Sequence, residues 1–488
     1  MADVRTSSAC KPRLPGLLVS ALMAGVLLLG GCAHKRPKLA SPLAIPAYPM
    51  RATRHPSLPP RTRLDAARIN ALRYDDRGSP LPSQCNAAVL ADGKAHPFHG
   101  PASYLVLSGG SQNGAFGAGF FLGLQESGQI PAEPLVVTGV STGSLQSTFL
   151  FLARQAVPKD RRYSWADGIG LTNPNDPQAD RPAIAPGRSN IEDLAVAYAI
   201  KREKDILKPV TMGNLGLLIG GAKGTLTPLR RRLLDLVSPD TIREVAIQAC
   251  RGRKLLVGVA DVDDGQAYAL DMTALSLMAF DGNAMPNRMD MVRKTYVAGL
   301  LASSSVPVGA KPVTLRIRDM AEEKHKRHLF IDGGARFGVF LEDIQSFRDT
   351  EGAIRGNDGV TLIVNTRLTL ERWHSEDDPL VPGNDWRLTT LGLRTVDILE
   401  NQVYRLSVQA VEDRAAELGG LHMAYISKEN IPDGEEPDAH LFRGKTCAAW
   451  HDEDEAREHP LQFYSRYMAC LTDYGRVRGR AYAWNTIR

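Results

Sequence analysis

The sequence predicts an α/β fold of three layers, with helices on both faces of a largely parallel central sheet. Four short apolar runs indicate buried strands, and amphipathic stretches between and after them indicate helices. The predicted strands are residues 104–107, 135–138, 255–260 and 360–365, and the predicted helices include 191–202, 226–237 and 391–417. Because strands that alternate with helices build parallel sheets, we expect the functional residues at the carboxyl ends of the strands.

Length and charge exclude several classes of protein. The chain has 488 residues, of which 43% are hydrophobic, so it is long enough and apolar enough to bury a large core. Residues 65–488 hold 49 basic and 53 acidic residues. This slightly acidic body predicts no nucleic acid partner, because nucleic acid binding depends on concentrated positive charge.

The amino terminus has the pattern of an export signal. Basic residues precede an uncharged run, Leu17 to Leu29, whose 13 residues are too few to cross a bilayer of about 30 Å. Together with Leu29, the next residues, Gly30-Gly31-Cys32, resemble the bacterial lipobox. The resemblance implies cleavage of a signal peptide, residues 1–31, and a lipid on Cys32. Because Ala33 is not the aspartate of the inner-membrane retention signal, we expect a lipid-anchored protein of the bacterial cell envelope, at the outer membrane facing the periplasm.

The rest of the chain divides by composition. Residues 32–64 combine seven prolines with seven basic residues and no acid, which predicts an extended tether. Residues 65–100 form an N-terminal extension, residues 101–430 the main domain, and residues 431–488 a polar C-terminal extension. Membrane lipid is the expected anchor and substrate, and the sequence names no protein partner.

Four cysteines remain for an oxidising compartment. Cys447 and Cys470 are the predicted disulfide, since both lie in the last segment, which a covalent link would hold in place. For Cys85 and Cys250, buried free thiols remain an alternative. No spacing indicates zinc ligands, and we expect neither a metal nor a cofactor. The segment Asp261–Gly265 is similar to the start of a calcium loop, but its twelfth position is not glutamate, and we interpret it as a hairpin turn.

The chemistry begins at a glycine-rich loop. The apolar strand ending at Leu107 is followed by Ser108, Gly109 and Gly110, then by Ser111 to Gly114, where a helix is predicted. A strand, a glycine loop and a helix together bring free backbone N–H groups to one point, where they can bind a developing negative charge. The loop lacks the spacing and the lysine of phosphate-binding loops.

A second strand enters a nucleophile elbow. The motif G-x-S-x-G runs from Gly139 through Ser141 to Gly143, after a strand and before a predicted helix. Farther on, an apolar strand ends at Asp332, which is followed by Gly333 and Gly334. A serine nucleophile needs a proton acceptor, and an aspartate whose pKa is raised by burial meets that need.

These motifs resemble the patatin-like phospholipases, lipid acyl hydrolases with a Ser-Asp dyad. The resemblance covers about residues 101–370 and includes the segment 302–307, which is similar to the family's Ala-Ser-x-x-x-Pro. It implies a three-layer α/β/α patatin-like domain, Ser141 as the nucleophile and Asp332 as the general base. It also implies an oxyanion hole from backbone N–H groups around Gly109, Gly110 and Ser111.

Two positions depart from the family pattern. Ser111 stands where the family has a third loop glycine, and Asn113 replaces its usual basic residue, which weakens the expectation of a phospholipid headgroup as opposed to a neutral lipid or small ester. Two alternatives stay open: a Ser-His-Asp esterase with His374 or His422 as the base, and a non-catalytic envelope protein that retains the fold.

Overall fold

The computed structural model describes residues 36–50, 85, 102–163, 165, 184–209, 222, 224–281, 286–307, 309–341, 357–368, 388–426 and 440–485. The predicted signal peptide, Cys32, most of the 65–100 extension and His374 lie outside these residues. The strands are β1 Leu39–Met50, β2 Ala102–Leu107, β3 Val136–Val140, β4 Lys208–Pro209, β5 Gly224–Thr225, β6 Lys254–Asp261, β7 Ala267–Asp271, β8 Val313–Asp319, β9 Lys324–Asp332, β10 Asn357–Val364 and β11 Leu421–Tyr425. The helices are α1 Gly114–Glu126, α2 Thr142–Phe151, α3 Asn190–Tyr198, α4 Thr227–Leu236, α5 Pro239–Cys250, α6 Met272–Leu277, α7 Arg288–Ser303, α8 Leu388–Glu417, α9 Cys447–Glu458 and α10 Ser465–Arg480.

A nine-stranded sheet organises the fold, in the order β11-β10-β2-β3-β6-β7-β1-β8-β9. Its first five strands are mutually parallel, which confirms the predicted parallel centre. Successive side chains of β2 point to opposite layers: Leu105 and Leu107 pack in one core cluster, and Tyr104 and Val106 pack in another. Both faces of this sheet are therefore buried, as the continuous apolar runs require.

The two faces are covered by different helices. Helix α8 packs its Val408, Val411 and Ala415 on the face that carries Tyr104 and Val106. Helices α1, α2, α3 and α7 contribute to the cluster on the opposite face. The predicted three-layer α/β arrangement is confirmed.

The second half of the sheet closes into a ring. Strand β7 pairs antiparallel with β6 and β1, and β1 runs parallel to β8, which pairs antiparallel with β9. Strand β9 then returns to β6, with Val259 opposite Asp332. Ring closure therefore sets the position of Asp332 beside the parallel strands.

The predicted tether is wrong for residues 39–50, which form β1 inside this ring. Ile45, Ala47 and Tyr48 are buried there, and Pro42 falls in the shift of register between Leu39 and Ala44. The apolar side chains favour a buried strand, and a proline is tolerated where the hydrogen-bonded ladder is interrupted. Composition averaged over the whole segment concealed this stretch.

The turn between β6 and β7 confirms the predicted hairpin. Asp261 N–H donates to the Gln266 carbonyl at 2.8 Å, and the two strands pair antiparallel on either side. The acidic groups of the turn already have partners, since Asp263 binds Arg36 at 2.6 Å and Asp261 binds His328 at 2.6 Å. The turn is therefore a structural element.

The polar C-terminal extension predicted for residues 431–488 is part of the core over its described residues, 440–485. Helix α10 buries Met468, Cys470 and Leu471 in the same cluster as α1. Its backbone touches α1 closely, because a Cβ added at Gly479 would lie 2.0 Å from the Phe120 carbonyl oxygen. The segment reads as polar because its outer face is solvated, while glycines rather than large apolar residues form part of its inner face.

Two disulfides join distant parts of the chain. Cys447 and Cys470 are bonded, with a Cα–Cα distance of 5.4 Å, so the predicted pair forms and links α9 to α10. Cys85 and Cys250 are also bonded, at a Cα–Cα distance of 5.6 Å. The alternative of buried free thiols is thereby wrong for these two residues.

Candidate active site

Ser141 occupies a sharp turn between β3 and α2. Its backbone has φ 52° and ψ −122°, an unfavourable conformation for a residue with a side chain. The turn is close-packed, because a Cβ at Gly139 would lie 2.5 Å from the Gly143 carbonyl oxygen and one at Gly143 would lie 2.4 Å from the Leu107 oxygen. Both glycines of the motif are therefore required sterically, and the turn has the geometry of a nucleophile elbow.

The segment 302–307 connects Ser141 to Asp332. Ser141 N–H donates to Ser303 Oγ at 3.0 Å, and that hydroxyl donates to the Gly258 carbonyl at 2.7 Å. Two residues farther on, the Ser305 carbonyl accepts from Asp332 N–H at 3.0 Å. The serines that follow Ala302 thus set the distance between the elbow and the end of β9.

The Asp332 side chain is buried, and its two carboxylate oxygens differ in their hydrogen bonds. Oδ1 accepts from Gly334 N–H at 2.7 Å, whereas Oδ2 has no hydrogen-bond partner among the described residues. The pKa of Asp332 is raised to about 7, mainly because burial penalises the charged carboxylate; the Ser141 hydroxyl and the Gly334 N–H favour the charged form and limit the rise, and the Glu400 charge adds a small further contribution to it. An aspartate with this pKa is a competent proton acceptor near neutral pH.

The glycine loop lies beside Ser141 at the end of the neighbouring strand. Gly110 has φ 137°, and a Cβ there would lie 1.8 Å from the Asn365 carbonyl oxygen, so only glycine fits. The Gly110 and Ser111 N–H groups make no hydrogen bond within the described chain and are available to a ligand. Gly109 differs, because its N–H donates to the Gly338 carbonyl at 3.2 Å. The Gly109 N–H is therefore already occupied in this structure, and the expected oxyanion hole stays a prediction that depends here on the Gly110 and Ser111 N–H groups.

Two side chains of this loop bind a distant segment of the chain, and these contacts were not predicted from the sequence. Gln112 Oε1 accepts from Tyr464 N–H at 2.9 Å, and Asn113 Oδ1 accepts from the Tyr467 hydroxyl at 3.1 Å. Asn113, one of the two residues that depart from the family pattern, thus binds the C-terminal segment where the family has a basic residue. No local signal in the sequence connects residues so far apart.

An amide pair supports the other side of the loop. Asn365 Nδ2 donates to the Ser108 carbonyl at 2.9 Å and to Gln146 Oε1 at 3.0 Å. Gln146 Nε2 in turn donates to the Gly114 carbonyl at 2.7 Å. The pair joins β10, α2 and the glycine loop, and it keeps the loop backbone rigid at the point where charge would develop.

An apolar cavity opens beside Ser141. It has an empty volume of about 830 Å³, including its mouth, and Ser111, Ser141, Thr142 and Ser304 lie on its wall. The remaining wall is mainly apolar and includes Leu145, Phe149, Leu229, Leu233, Phe463 and Met468. Such a cavity fits a hydrocarbon chain better than a polar ligand.

Comparison with known families agrees with this geometry. The family model described as patatin-like phospholipase matches residues 105–343, a range that contains the glycine loop, the elbow and Asp332. The chain carries a patatin-like phospholipase domain. The family match therefore supports lipid acyl hydrolysis as the general activity of this domain.

One solved structure aligns with most of the chain at low similarity. The crystal structure of VipD from Legionella pneumophila aligns over 94% of this chain and 74% of that chain, at 11% sequence identity and a TM-score of 0.25. That TM-score is too low to support an inference from the alignment. No curated protein sequence matches the chain.

The patatin-like domain is extended by elements on its C-terminal side that reach the site. Tyr404 of α8 packs against Gly109, Gly334 and Gly338, and Gln462 and Phe463 line the cavity. Tyr404 could not be predicted as a site residue, because nothing in the local pattern of α8 distinguishes it from other buried residues of a helix.

Of the two histidines considered as the base, only His422 is among the described residues, and it is remote from Ser141. His422 lies on β11, which is separated from β3 by β10 and β2, a distance of about 14 Å across the sheet. Its ring lies beside Trp484, at 5.4 Å between centroids and tilted by 48°. His422 therefore cannot accept the Ser141 proton in this structure.

Within the described ranges, no helix combines the length and the apolar character needed to cross a membrane.

Proposed function

We propose that this protein is a serine acyl hydrolase that cleaves acyl esters of membrane lipids through a Ser141–Asp332 dyad. The observation that carries the proposal is the union of three features at one edge of the sheet. A strained serine, a buried aspartate with an open carboxylate oxygen and an apolar cavity meet there. Separately each is common, but together they match the needs of acyl transfer.

The proposed reaction has two halves. Ser141 Oγ attacks the ester carbonyl carbon while the Asp332 carboxylate takes its proton, and the carbonyl electron pair moves to oxygen, where the Gly110 and Ser111 N–H groups donate to it. Collapse expels the alcohol, which takes the proton from Asp332 and leaves an acyl-enzyme. Water then attacks the acyl-enzyme, Asp332 again accepts and returns a proton, and the fatty acid leaves.

The cavity supports a lipid acyl chain as the substrate group. Each methylene transferred from water to an apolar wall stabilises the complex by about 0.8 kcal/mol. We therefore expect kcat/KM to rise with acyl length until the chain fills the space between α2 and α4. Leu145 and Phe149 on one side and Leu229 and Leu233 on the other form these walls.

The test is hydrolysis of an activated ester series and of phospholipid vesicles by the purified protein and its variants. Ser141→Ala, Asp332→Asn and the double variant should share one low residual rate, because members of a catalytic unit do not act additively. Ser147→Ala and Asp413→Asn are matched controls that should retain wild-type rates. If Asp332→Asn turns over well while His374→Ala or His422→Ala is inactive, a histidine triad replaces the dyad. If the wild-type protein hydrolyses no ester, the non-catalytic alternative is correct.

We also propose that a lipid on Cys32 holds the protein at the envelope membrane, at the outer membrane facing the periplasm. Arg36 binds Asp263 through two hydrogen bonds of 2.7 and 2.6 Å, and Asp263 follows β6. Strand β6 is parallel to β3, with Val140 opposite Gly258, so this turn lies at the same edge as Ser141. Arg36, four residues after Cys32 in the sequence, is therefore held at the edge of the sheet that carries Ser141.

Labelling with radioactive palmitate tests this location. The wild-type protein should be labelled and should fractionate with outer membranes, and Cys32→Ser should lose both properties. Normal labelling of Cys32→Ser would contradict the anchor but would leave the dyad untouched.

A further inference from the structure

Tyr404 occupies a space that three glycines leave open. The residue lies on α8, beyond the matched range 105–343, and only 4% of it is exposed. A Cβ at Gly109 would lie 2.0 Å from its hydroxyl oxygen, one at Gly338 would lie 2.6 Å from its ring, and one at Gly334 would lie 3.3 Å from the hydroxyl. One aromatic ring therefore fits against glycines of three segments, namely the glycine loop, the Asp-Gly-Gly motif and the segment after that motif.

The hydroxyl of this ring lies close to the reacting atoms. The point where a Gly109 Cβ would stand is 3.2 Å from Ser141 Cβ and 2.0 Å from Tyr404 Oη, so these two atoms are at most about 5.2 Å apart. By the same construction at Gly334, Tyr404 Oη lies within about 6.4 Å of Asp332 Oδ1. A substrate carbonyl bound to Ser141 would enter this neighbourhood.

The phenol is held in place and remains protonated. Ser407, one turn later on α8, accepts a hydrogen bond from Gly338 N–H at 3.1 Å and fixes the helix against the site. Burial and the charges of Asp332 and Glu400 raise the pKa of Tyr404 well above its ordinary value. The hydroxyl donates no hydrogen bond to any described residue.

We propose that the Tyr404 hydroxyl is a side-chain donor of the oxyanion hole, an inference that rests on the proposed dyad chemistry. When Ser141 Oγ bonds to the carbonyl carbon and its proton passes to Asp332, the negative charge appears on the former carbonyl oxygen. The Tyr404 O–H donates a hydrogen bond to that oxygen and keeps its proton. It supplies the donor that is lost where Gly109 N–H binds the Gly338 carbonyl.

Hydrogen bonding to the oxyanion is favoured over hydrogen bonding to Asp332 by both chemistry and geometry. A donor on the Asp332 carboxylate would stabilise the ground state and weaken the base, whereas a donor on the oxyanion stabilises charge that exists only in the transition state. Asp332 Oδ2 also has no hydrogen-bond partner in the described residues.

The experiment compares Tyr404→Phe with the wild-type protein on a soluble 4-nitrophenyl ester. We expect kcat to fall about 100-fold, with KM within two-fold and the pH midpoint of kcat unchanged. Inhibition by a trifluoromethyl ketone, which forms an oxyanion on Ser141, should weaken by a similar factor. Tyr296→Phe is the control, because that buried hydroxyl binds Thr148 at 2.8 Å and is not part of the proposed site.

Each outcome is decisive. A kcat within three-fold of wild type, or unchanged ketone inhibition, would overturn the role of Tyr404. A pH midpoint that moves upward would assign the hydroxyl to Asp332 instead. A fall in the thermal midpoint with both kcat and ketone affinity preserved would show a packing role only. Retained activity in Ser141→Ala, measured in the same series, would indicate that the dyad itself is wrong.

Discussion

Replacing Asp332 by asparagine should stabilise the fold at neutral and alkaline pH while abolishing turnover. The asparagine keeps the shape and the acceptor for Gly334 N–H but cannot ionise. In the wild-type protein, burial raises the pKa of Asp332 from its ordinary value of 3.8 to about 7. The folded protein therefore holds a proton between pH 3.8 and 7 that the unfolded chain has released. Wild-type stability consequently falls as pH rises through that interval.

The size of the effect follows from that interval. Each pH unit is worth about 1.4 kcal/mol, so the full cost of the buried charge is about 4 kcal/mol, of which about 3 kcal/mol appears between pH 5 and pH 8. The assay is urea unfolding of wild type and Asp332→Asn at these two pH values, with the disulfides intact. The stability of the variant relative to wild type should increase by about 3 kcal/mol at the higher pH. Because both proteins share every other titrating group, an equal difference at the two pH values would refute a raised pKa of Asp332.

The wild-type kcat/KM should rise with pH around a midpoint near 7 as the Asp332 carboxylate forms.

Three further changes test the parts of the fold that support the site. The double variant Cys447→Ser/Cys470→Ser should lower the free energy of unfolding by about 3 kcal/mol. It should also reduce activity, because α10 contacts the glycine loop. An unchanged kcat/KM in the folded variant would exclude an effect of the disulfide on the active site. Asp193→Asn leaves the Arg161 guanidinium, now paired at 2.8 Å, as an uncompensated buried charge, and urea unfolding should show a loss of about 3–5 kcal/mol. Gly479→Ala should lower stability by about 1–3 kcal/mol, since its Cβ would lie 2.0 Å from a carbonyl oxygen of α1; a calorimetric midpoint equal to wild type would mean that the two helices separate without cost.

The parts of the site that are predictable from sequence are those encoded by neighbouring residues. An apolar strand followed at once by glycines specifies a sharp turn at the end of a buried strand, as at Gly109 and at Ser141. Parallel neighbours then place such turns at one edge of the sheet, so the glycine loop and the elbow were predictable together. Asp332 was found in the same way, as the last residue of an apolar strand before a glycine pair.

The predictions that needed correction relied on averages or on sequence separation. The tether prediction used the composition of residues 32–64, but a strand is decided by a few alternating apolar side chains, here residues 39–50, that find a place in the sheet. The extension predicted for residues 431–488 was also judged by polarity, which does not register glycines as a packing surface. A helix whose contact face carries small residues lies closer to its partner and needs fewer large apolar side chains.

By itself, the sequence determined the α/β layering, the glycine loop, the elbow at Ser141, the strand end at Asp332 and the pairing of Cys447 with Cys470. Only the tertiary structure decided that Tyr404 fills the space beside Gly109, and that the Gly109 N–H is already occupied. The physical reason is that a hydrogen-bond partner or a steric gap exists only once segments far apart in the chain are packed together. Local periodicity specifies which face of an element is buried, and it carries no information about which distant residue meets that face.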